Sequence, residues 1–233
     1  MKYLLIFLPI FIYAKSYIGV VEPVNEFTIY AKTSGEIVSL DKNDEMKILT
    51  KDIIKIDKSL EVDTLKLYEE QLKLYNQKLE IMQSNYEKYI TIRGMSKVDK
   101  DNKLLEIIDL KNSIATLKIS IIDLKNSIKD KTISINNLYL KEFLVNKYDY
   151  LTAGTKVATV YDMSKSKVTV YVNAEDYKNI KNKLIYINDV KSDYKINKID
   201  ITTDTTYISS YKTEVLIDSK EYGKTLKVEF RNE

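Results

Sequence analysis

The sequence predicts an α+β protein in which a long antiparallel helical hairpin interrupts one β-rich region and a second β-rich region follows. Three observations predict it: a heptad pattern through the middle of the chain, short β runs broken by turn residues on either side, and evenly spaced strand candidates toward the end. Residues 60–130 contain no Pro and a single Gly, so nothing in that stretch interrupts two helices except the turn between them.

At the N-terminus Lys2 precedes an apolar run of 11 residues, Leu4 to Ala14, which ends in a small residue before Lys15. A bilayer-spanning helix needs about 20 apolar residues, so the layout reads as a secretory signal peptide, residues 1–14, with cleavage expected after Ala14. Residues 15–59 then carry an N-terminal strand and the first β-rich segment. In it FTIYAKTSGEIVSL alternates around Ser34-Gly35, and MKILTKDIIKID reads as a further strand pair.

In the first half of the hairpin Leu65, Tyr68, Leu72, Tyr75, Leu79, Met82, Tyr86 and Tyr89 follow one another at alternating steps of 3 and 4. Leu67, Leu74 and Ile81 add a row at sevens, which is expected to widen the apolar face. The second half repeats the alternation at Ile107, Leu110, Ile114, Leu117, Ile121, Leu124 and Ile128, and the hexapeptide DLKNSI recurs after two heptads. Helices are expected from about Leu60 to Arg93 and from about Lys97 to Asp130. Gly94 supplies a left-handed turn residue between them, and Ser96 or Asp99 can cap the returning helix. At about 1.5 Å per residue each arm is ~50 Å long. Lys103 falls where the seam extrapolates, so a local stutter is expected near the tip.

Residues 131–163 return to β patterning: LYLKEFLV, a turn through Asn146 to Asp149, and YLTAGTKVATVYD with Gly154 at a tight turn. Residues 164–233 hold five strand candidates, KVTVYVN, KLIYIND, YKINKIDIT, YKTEVLID and KTLKVEFRN, which predict a small barrel or sandwich.

Composition narrows the chemistry. Among 233 residues there is no Cys, His or Trp, so disulfides, thiolate nucleophiles, serine-type triads and Cys or His metal sites are excluded, and an enzyme is not expected. The net charge of +3 comes from 37 basic and 34 acidic residues interspersed along the chain, with no basic block to hold a phosphate backbone; a nucleic-acid partner is not expected. Asp41, Asp44 and Glu45, or Asp99 and Asp101, form no complete metal-binding loop. A lipoyl or biotinyl carrier displays its modified Lys on a tight hairpin joining two halves, where this chain has about seventy residues of coiled coil, and Lys32 lies in a strand-like context without the flanking pattern. No cofactor is expected.

This order of segments resembles that of the HlyD-type periplasmic membrane fusion (adaptor) proteins of efflux and secretion systems. The first half-motif is matched by YAKTSGEIVSL at Ala31, Ser34, Gly35 and Ile37. The second is matched by YLTAGTKVATVYDMSKSKVTVYV at Gly154, Val157, Val160 and Asp162. The tip sequence RGMSKVDKD is similar to the stretch around a Ser with which channel-docking members touch their channel. The resemblance implies a lipoyl-like β-domain split by an α-hairpin (residues 60–130) and followed by a β-barrel domain. It also implies partner contacts at Arg93, Gly94, Met95, Ser96, Lys97 and Asp99.

The partners so implied are an outer-membrane channel of TolC type, an inner-membrane transporter of the RND or ABC class, and further copies of the chain in a trimer or hexamer. The location implied is the periplasm. The sequence departs from the family's pattern in carrying Thr50-Lys51-Asp52 where a turn Gly is usual, Asn85 where an Arg is usual, and a spacing from Gly94 to Ser96 one residue shorter. The competing reading is an exported structural coiled-coil protein that binds another envelope partner through its hairpin.

Overall fold

The computed structural model describes residues 15–232, and the expected signal peptide, residues 1–14, lies outside them. The elements in chain order are β1 (Ser16–Tyr30), β2 (Gly35–Leu40), β3 (Lys47–Ile56), α1 (Ser59–Ile90), α2 (Lys97–Asp130), β4 (Thr132–Phe143), β5 (Tyr150–Leu151), β6 (Lys156–Asn173), the one-turn α3 (Ala174–Tyr177), β7 (Leu184–Ile187), β8 (Val190–Ser192), β9 (Ile196–Ile199), β10 (Ser210–Ile217) and β11 (Thr225–Arg231). The chain divides into two compact units. Residues 28–159 form one, and the described residues 15–27 join 160–232 in the other.

In the first of these units β3 lies between β2 and β4, and β2 also pairs with β5, all antiparallel. The segments before and after the hairpin are stitched reciprocally. Ala31 donates to the Thr155 carbonyl and accepts from Gly154, each at 2.8 Å, while Ile37 donates to Asp149 and accepts from Tyr148. Ile37, Ile54, Ile56, Leu140, Leu151 and Val157 fill the core between them. Segments more than a hundred residues apart thus make one β-domain, because neither has enough apolar surface to fold alone.

One sequence expectation is corrected here. The turn read at Thr50-Lys51-Asp52 is absent, and β3 runs unbroken from Lys47 to Ile56 with register shifts at Leu49/Thr50 and Asp52/Ile54. The irregularity is taken up across the ladder, where Asn137 has φ 51° and its N–H donates to Thr50 Oγ1 at 2.9 Å. Asn tolerates that left-handed conformation better than most residues, so no Gly is needed. Lys32, read in a strand context, sits in the bend after β1 and pairs with Asp130 at 3.5 Å.

Both helical arms join the β-domain at Lys131, the residue after α2, whose side chain is 8% exposed. Its ammonium donates to the Asp57 carbonyl at 2.6 Å and pairs with Glu61, in the first turn of α1, at 2.5 Å. Gly35 (φ 147°) closes over this junction: a Cβ there would lie 2.6 Å from Ile56 and 3.4 Å from the Lys131 Nζ.

In the other unit the first residues of β1 pair with β11, from Ser16 opposite Glu229 to Val20 opposite Thr225, and β11 continues through β7 to β8. On β6 the stretch from Ser166 to Asn173 pairs with β10, which also pairs with β9. Val168, Val170, Val172, Val215, Val228 and Phe230 lead its core. Several carboxylates here are held below their ordinary values, among them three that are buried or half-buried. Burial pushes the Asp176 carboxyl up, but hydrogen bonds from Lys183 and Tyr17 outweigh it. Burial likewise opposes the bond from Lys167 at Glu214, and the bond wins. Glu229 is lowered chiefly by its bond from Lys227, against burial and with help from Arg231.

Two predictions follow from these contacts. Lys131→Ala leaves Glu61 facing a half-buried site without its cation, and urea unfolding should show a loss of about 3 kcal/mol, with Lys131→Met/Glu61→Leu recovering much of it. Asp176, Glu214 and Glu229 bind protons more weakly when folded than when unfolded. Their stabilisation is therefore complete above the unfolded values near pH ~4 and is lost as pH falls through the folded ones. With no His to titrate, melting temperature should be flat from about pH 5.5 to 8 and fall below about pH 4, with a shallower acid limb in Asp176→Asn; a transition near pH 6.5 would contradict the assignment.

Candidate functional site

The candidate site is the far end of the α1–α2 hairpin. Within the hairpin, Ile107, Leu110, Ile114, Leu117 and Ile121 of α2 are buried, whereas among the described residues of α1 none is fully so. The α1 seam residues Leu65, Tyr68, Leu72, Tyr75, Leu79, Met82, Tyr86 and Tyr89 are half-buried, as two helices alone can cover only one stripe of each other. The row Leu67, Leu74, Ile81, expected to widen that seam, instead faces water at 64%, 63% and 62% exposure.

Toward the tip the seam reaches Lys103, the position of the expected stutter. Helix α2 stays regular there, and Lys103 turns to pair with Glu106 at 2.8 Å. What gives is the packing: a gap of about 220 Å³, bordered by Met82, Tyr86, Tyr89, Lys103 and Ile107, opens between the helices. Aromatic rings opposite a Lys cannot interdigitate as Leu and Ile do.

Helix α1 ends at Ile90, three residues short of Arg93, and α2 starts at Lys97. Gly94 adopts φ 86°, and among the described residues nothing lies within 4 Å of a Cβ built there, so the glycine serves backbone conformation and not close approach. Ser96 is the N-cap of α2, its hydroxyl accepting from the Val98 N–H at 3.1 Å. Asp99 takes the other role open to an acid, sitting in the first turn where it complements the helix dipole. Arg93 and Lys97 are exposed, and Met95 between them is half-buried. The six residues singled out from the sequence therefore lie within one seven-residue stretch at the turn, and of the six it is Ser96 whose side chain caps a backbone N–H there.

Two features were missed. The Lys100 ammonium reaches back to the Ile90 carbonyl at 2.9 Å and caps α1 from the other helix, while Thr91 donates to Lys88. Ile90, Ile92 and Val98, on either side of the turn, stand 41%, 49% and 64% exposed and make an apolar collar in sequence around Gly94 and Ser96. Their β-branched pattern carried no heptad signal. Of the carboxylates considered as metal ligands, the three before β3 have structural partners: Asp41 caps a turn through Asn43, Asp44 pairs with Lys51, and Glu45 accepts from the Phe143 N–H.

The sequence matches no protein-family model and no curated protein. Solved structures do share its fold. The membrane fusion protein Spr0693 from Streptococcus pneumoniae R6 matches with a TM-score of 0.67 at 12% identity, over 94% of this chain and 100% of that one. MacA from Actinobacillus actinomycetemcomitans matches at 0.64 and 18%, over 94% and 79%. A MacA-MexA chimera containing the Pseudomonas aeruginosa MexA α-hairpin domain matches at 0.57 and 17%, over 94% and 82%. The chain has the fold of the membrane fusion proteins, a mixed structure of antiparallel sheet and two long helices, and the resemblance read from its residues is borne out at that level. Among the described residues no helix is long and apolar enough to cross a membrane.

Ser96→Ala removes the α2 cap and should cost about 1 kcal/mol, read by urea unfolding, with faster amide exchange at Val98 as its local mark. An unchanged exchange rate at Val98 would show that the cap is idle.

Proposed function

We propose that this chain is a non-enzymatic periplasmic adaptor, exported by residues 1–14, that links an inner-membrane transporter of the RND or ABC class to an outer-membrane channel of TolC type. In this reading the β-segments flanking the hairpin form one lipoyl-like domain, and residues 164–233 form the β-barrel domain. The transporter supplies the energy, and this chain transmits geometry.

The observation that carries the reading is the second apolar row on each helix. On α1 it is Leu67, Leu74 and Ile81; on α2 it is Leu105, Ile108, Ile119 and Ile122, exposed at 55%, 42%, 60% and 58% and spaced as a heptad with Asn112 and Ala115 between. One hairpin leaves both rows in water, a cost of roughly 1.5–3 kcal/mol for each such side chain relative to burial. Heptad spacing fits another helix, and rows of the same kind on both arms fit a second copy of the hairpin, α1 of one against α2 of the next. Such head-to-tail contacts close into a ring when the rotation between copies divides the circle, in this reading a trimer or hexamer with the tips gathered at one end. Arg93, Gly94, Met95, Ser96, Lys97 and Asp99 then meet the channel.

A photo-reactive residue at position 96 should capture an outer-membrane channel in cells; capture of a different envelope protein instead would favour the structural coiled-coil reading. Leu74→Lys/Ile81→Lys should abolish self-association in sedimentation at unchanged helical circular dichroism, and a retained oligomer would remove the row from the interface.

A further inference from the structure

Where the hairpin meets its β-domain, a pocket of about 600 Å³ opens between the last turn of α2, the end of β1 and the start of β4. Its volume lies within the range of about 300–1,000 Å³ typical of small-molecule sites. Four ammonium side chains border it: Lys32 after β1, Lys58 before α1, and Lys125 and Lys129 on α2. They come from three separate parts of the chain, so no single stretch of sequence displays the cluster. Ile29, Ile128 and Ile133 supply an apolar floor, and Tyr30 adds a half-exposed ring.

The charges do not cancel. Lys32 is paired with Asp130 at 3.5 Å and Lys125 with Glu69 at 2.8 Å. Lys58 and Lys129 have no ion pair among the described residues, although both line the same concavity. The C-terminus of α2 contributes a partial negative charge of about half a unit, and the N-terminus of α1, beside Lys58, a positive one of similar size, so the dipoles offset each other. Two uncompensated ammonium groups above an apolar floor remain.

We propose that this pocket binds an amphiphilic anion: a phosphate ester whose headgroup is held by Lys58 and Lys129, with Lys32 and Lys125 at its edge, and whose hydrocarbon portion lies on Ile128 and Ile133. The chemistry is shared by soluble phosphate monoesters and by the headgroup end of an anionic phospholipid. The site is separate from the hairpin tip, and its occupancy does not depend on the adaptor reading.

The test is calorimetric titration of the full mature chain with hexyl phosphate, with inorganic phosphate, and with hexyltrimethylammonium. Hexyl phosphate should bind at least about tenfold more tightly than inorganic phosphate, the cation should not bind, and affinity should fall with added salt. Lys58→Gln/Lys129→Gln should weaken hexyl phosphate by about tenfold for each ammonium lost, while Lys111→Gln, on an exposed face of α2 away from the pocket, should leave it unchanged. Both substituted lysines are exposed, so folding is not at stake, and circular dichroism checks it.

Co-sedimentation with phosphatidylglycerol vesicles distinguishes the sources. Vesicle binding lost in the double variant assigns a membrane lipid, and hexyl phosphate binding without it assigns a soluble ester. Absence of hexyl phosphate binding, equal affinity for inorganic phosphate, or full affinity in the double variant would each overturn the proposal.

Discussion

A hairpin that packs almost wholly on itself can be aimed only through its two covalent connections, and in this protein both are held by one ammonium. Lys131 ties the strand leaving α2 to the residues entering α1, through the Asp57 carbonyl and the Glu61 carboxylate. A buried ion pair is seldom more stabilising than apolar side chains of the same volume. What it adds is a directed link: the ammonium bonds at once to the Asp57 carbonyl and the Glu61 carboxylate, tying the first turn of α1 to the end of α2, where a Leu would make no such bond. Over an arm of about 50 Å a small change of angle at the base becomes a displacement of several ångström at the tip. The crowding of Gly35 against Ile56 and Lys131 belongs to the same constraint, since any side chain at 35 would push on the clamp.

The β-domain and the hairpin are stable for different reasons. Around Ile37, Ile54 and Leu140 burial is complete, and the reciprocal bonds at Ala31 and Ile37 tie the two flanking segments together. Along the hairpin only α2 has fully buried seam residues, and cross-helix ion pairs such as Glu69–Lys125, with both partners about half exposed, add little. The gap beside Lys103 weakens the seam further where it approaches the turn. Full burial along the seam is confined to the stretch from Ile107 to Ile121, with Leu124 and Ile128 near the clamp only half-buried, and beyond Ile107 the end that would meet a partner is held mainly by caps: Ser96 on Val98, and Lys100 on Ile90.

What the sequence disclosed and what it concealed divide along physical lines. Heptad spacing, the lone Gly94 and a Ser two residues later are local signals, and they marked the helices, the turn and the cap. Pairing between distant strands is not local: nothing in the period-2 pattern of Ser16–Val20 announces that its partner is β11, because alternation reports which face is buried and not what lies beside it. For the same reason Leu67, Leu74 and Ile81 were legible as apolar and heptad-spaced, while their exposure was not. The continuity of β3 through Thr50 was hidden because the residue that relieves it, Asn137, lies on the opposite strand. Lys131 resembles every other Lys at the end of a helix until the fold brings Glu61 beside it. At the tip Lys100 was equally silent, since its acceptor is a backbone carbonyl on the other helix.

The geometry of the turn also limits what it can offer a partner. The Ser96 oxygen already accepts from Val98, so the hydroxyl remains useful chiefly as a donor, and the helix dipole behind it opposes the approach of a cation. At the same turn Ile90, Ile92 and Val98 expose apolar surface that the hairpin leaves uncovered. A complementary surface would therefore present an acceptor at its centre and apolar side chains around it, which places the apolar collar, more than the hydroxyl, in the role of the larger contact area. Arg93 and Lys97 at the edge would then favour an acidic margin on the partner, acting on orientation and rate of encounter more than on final affinity.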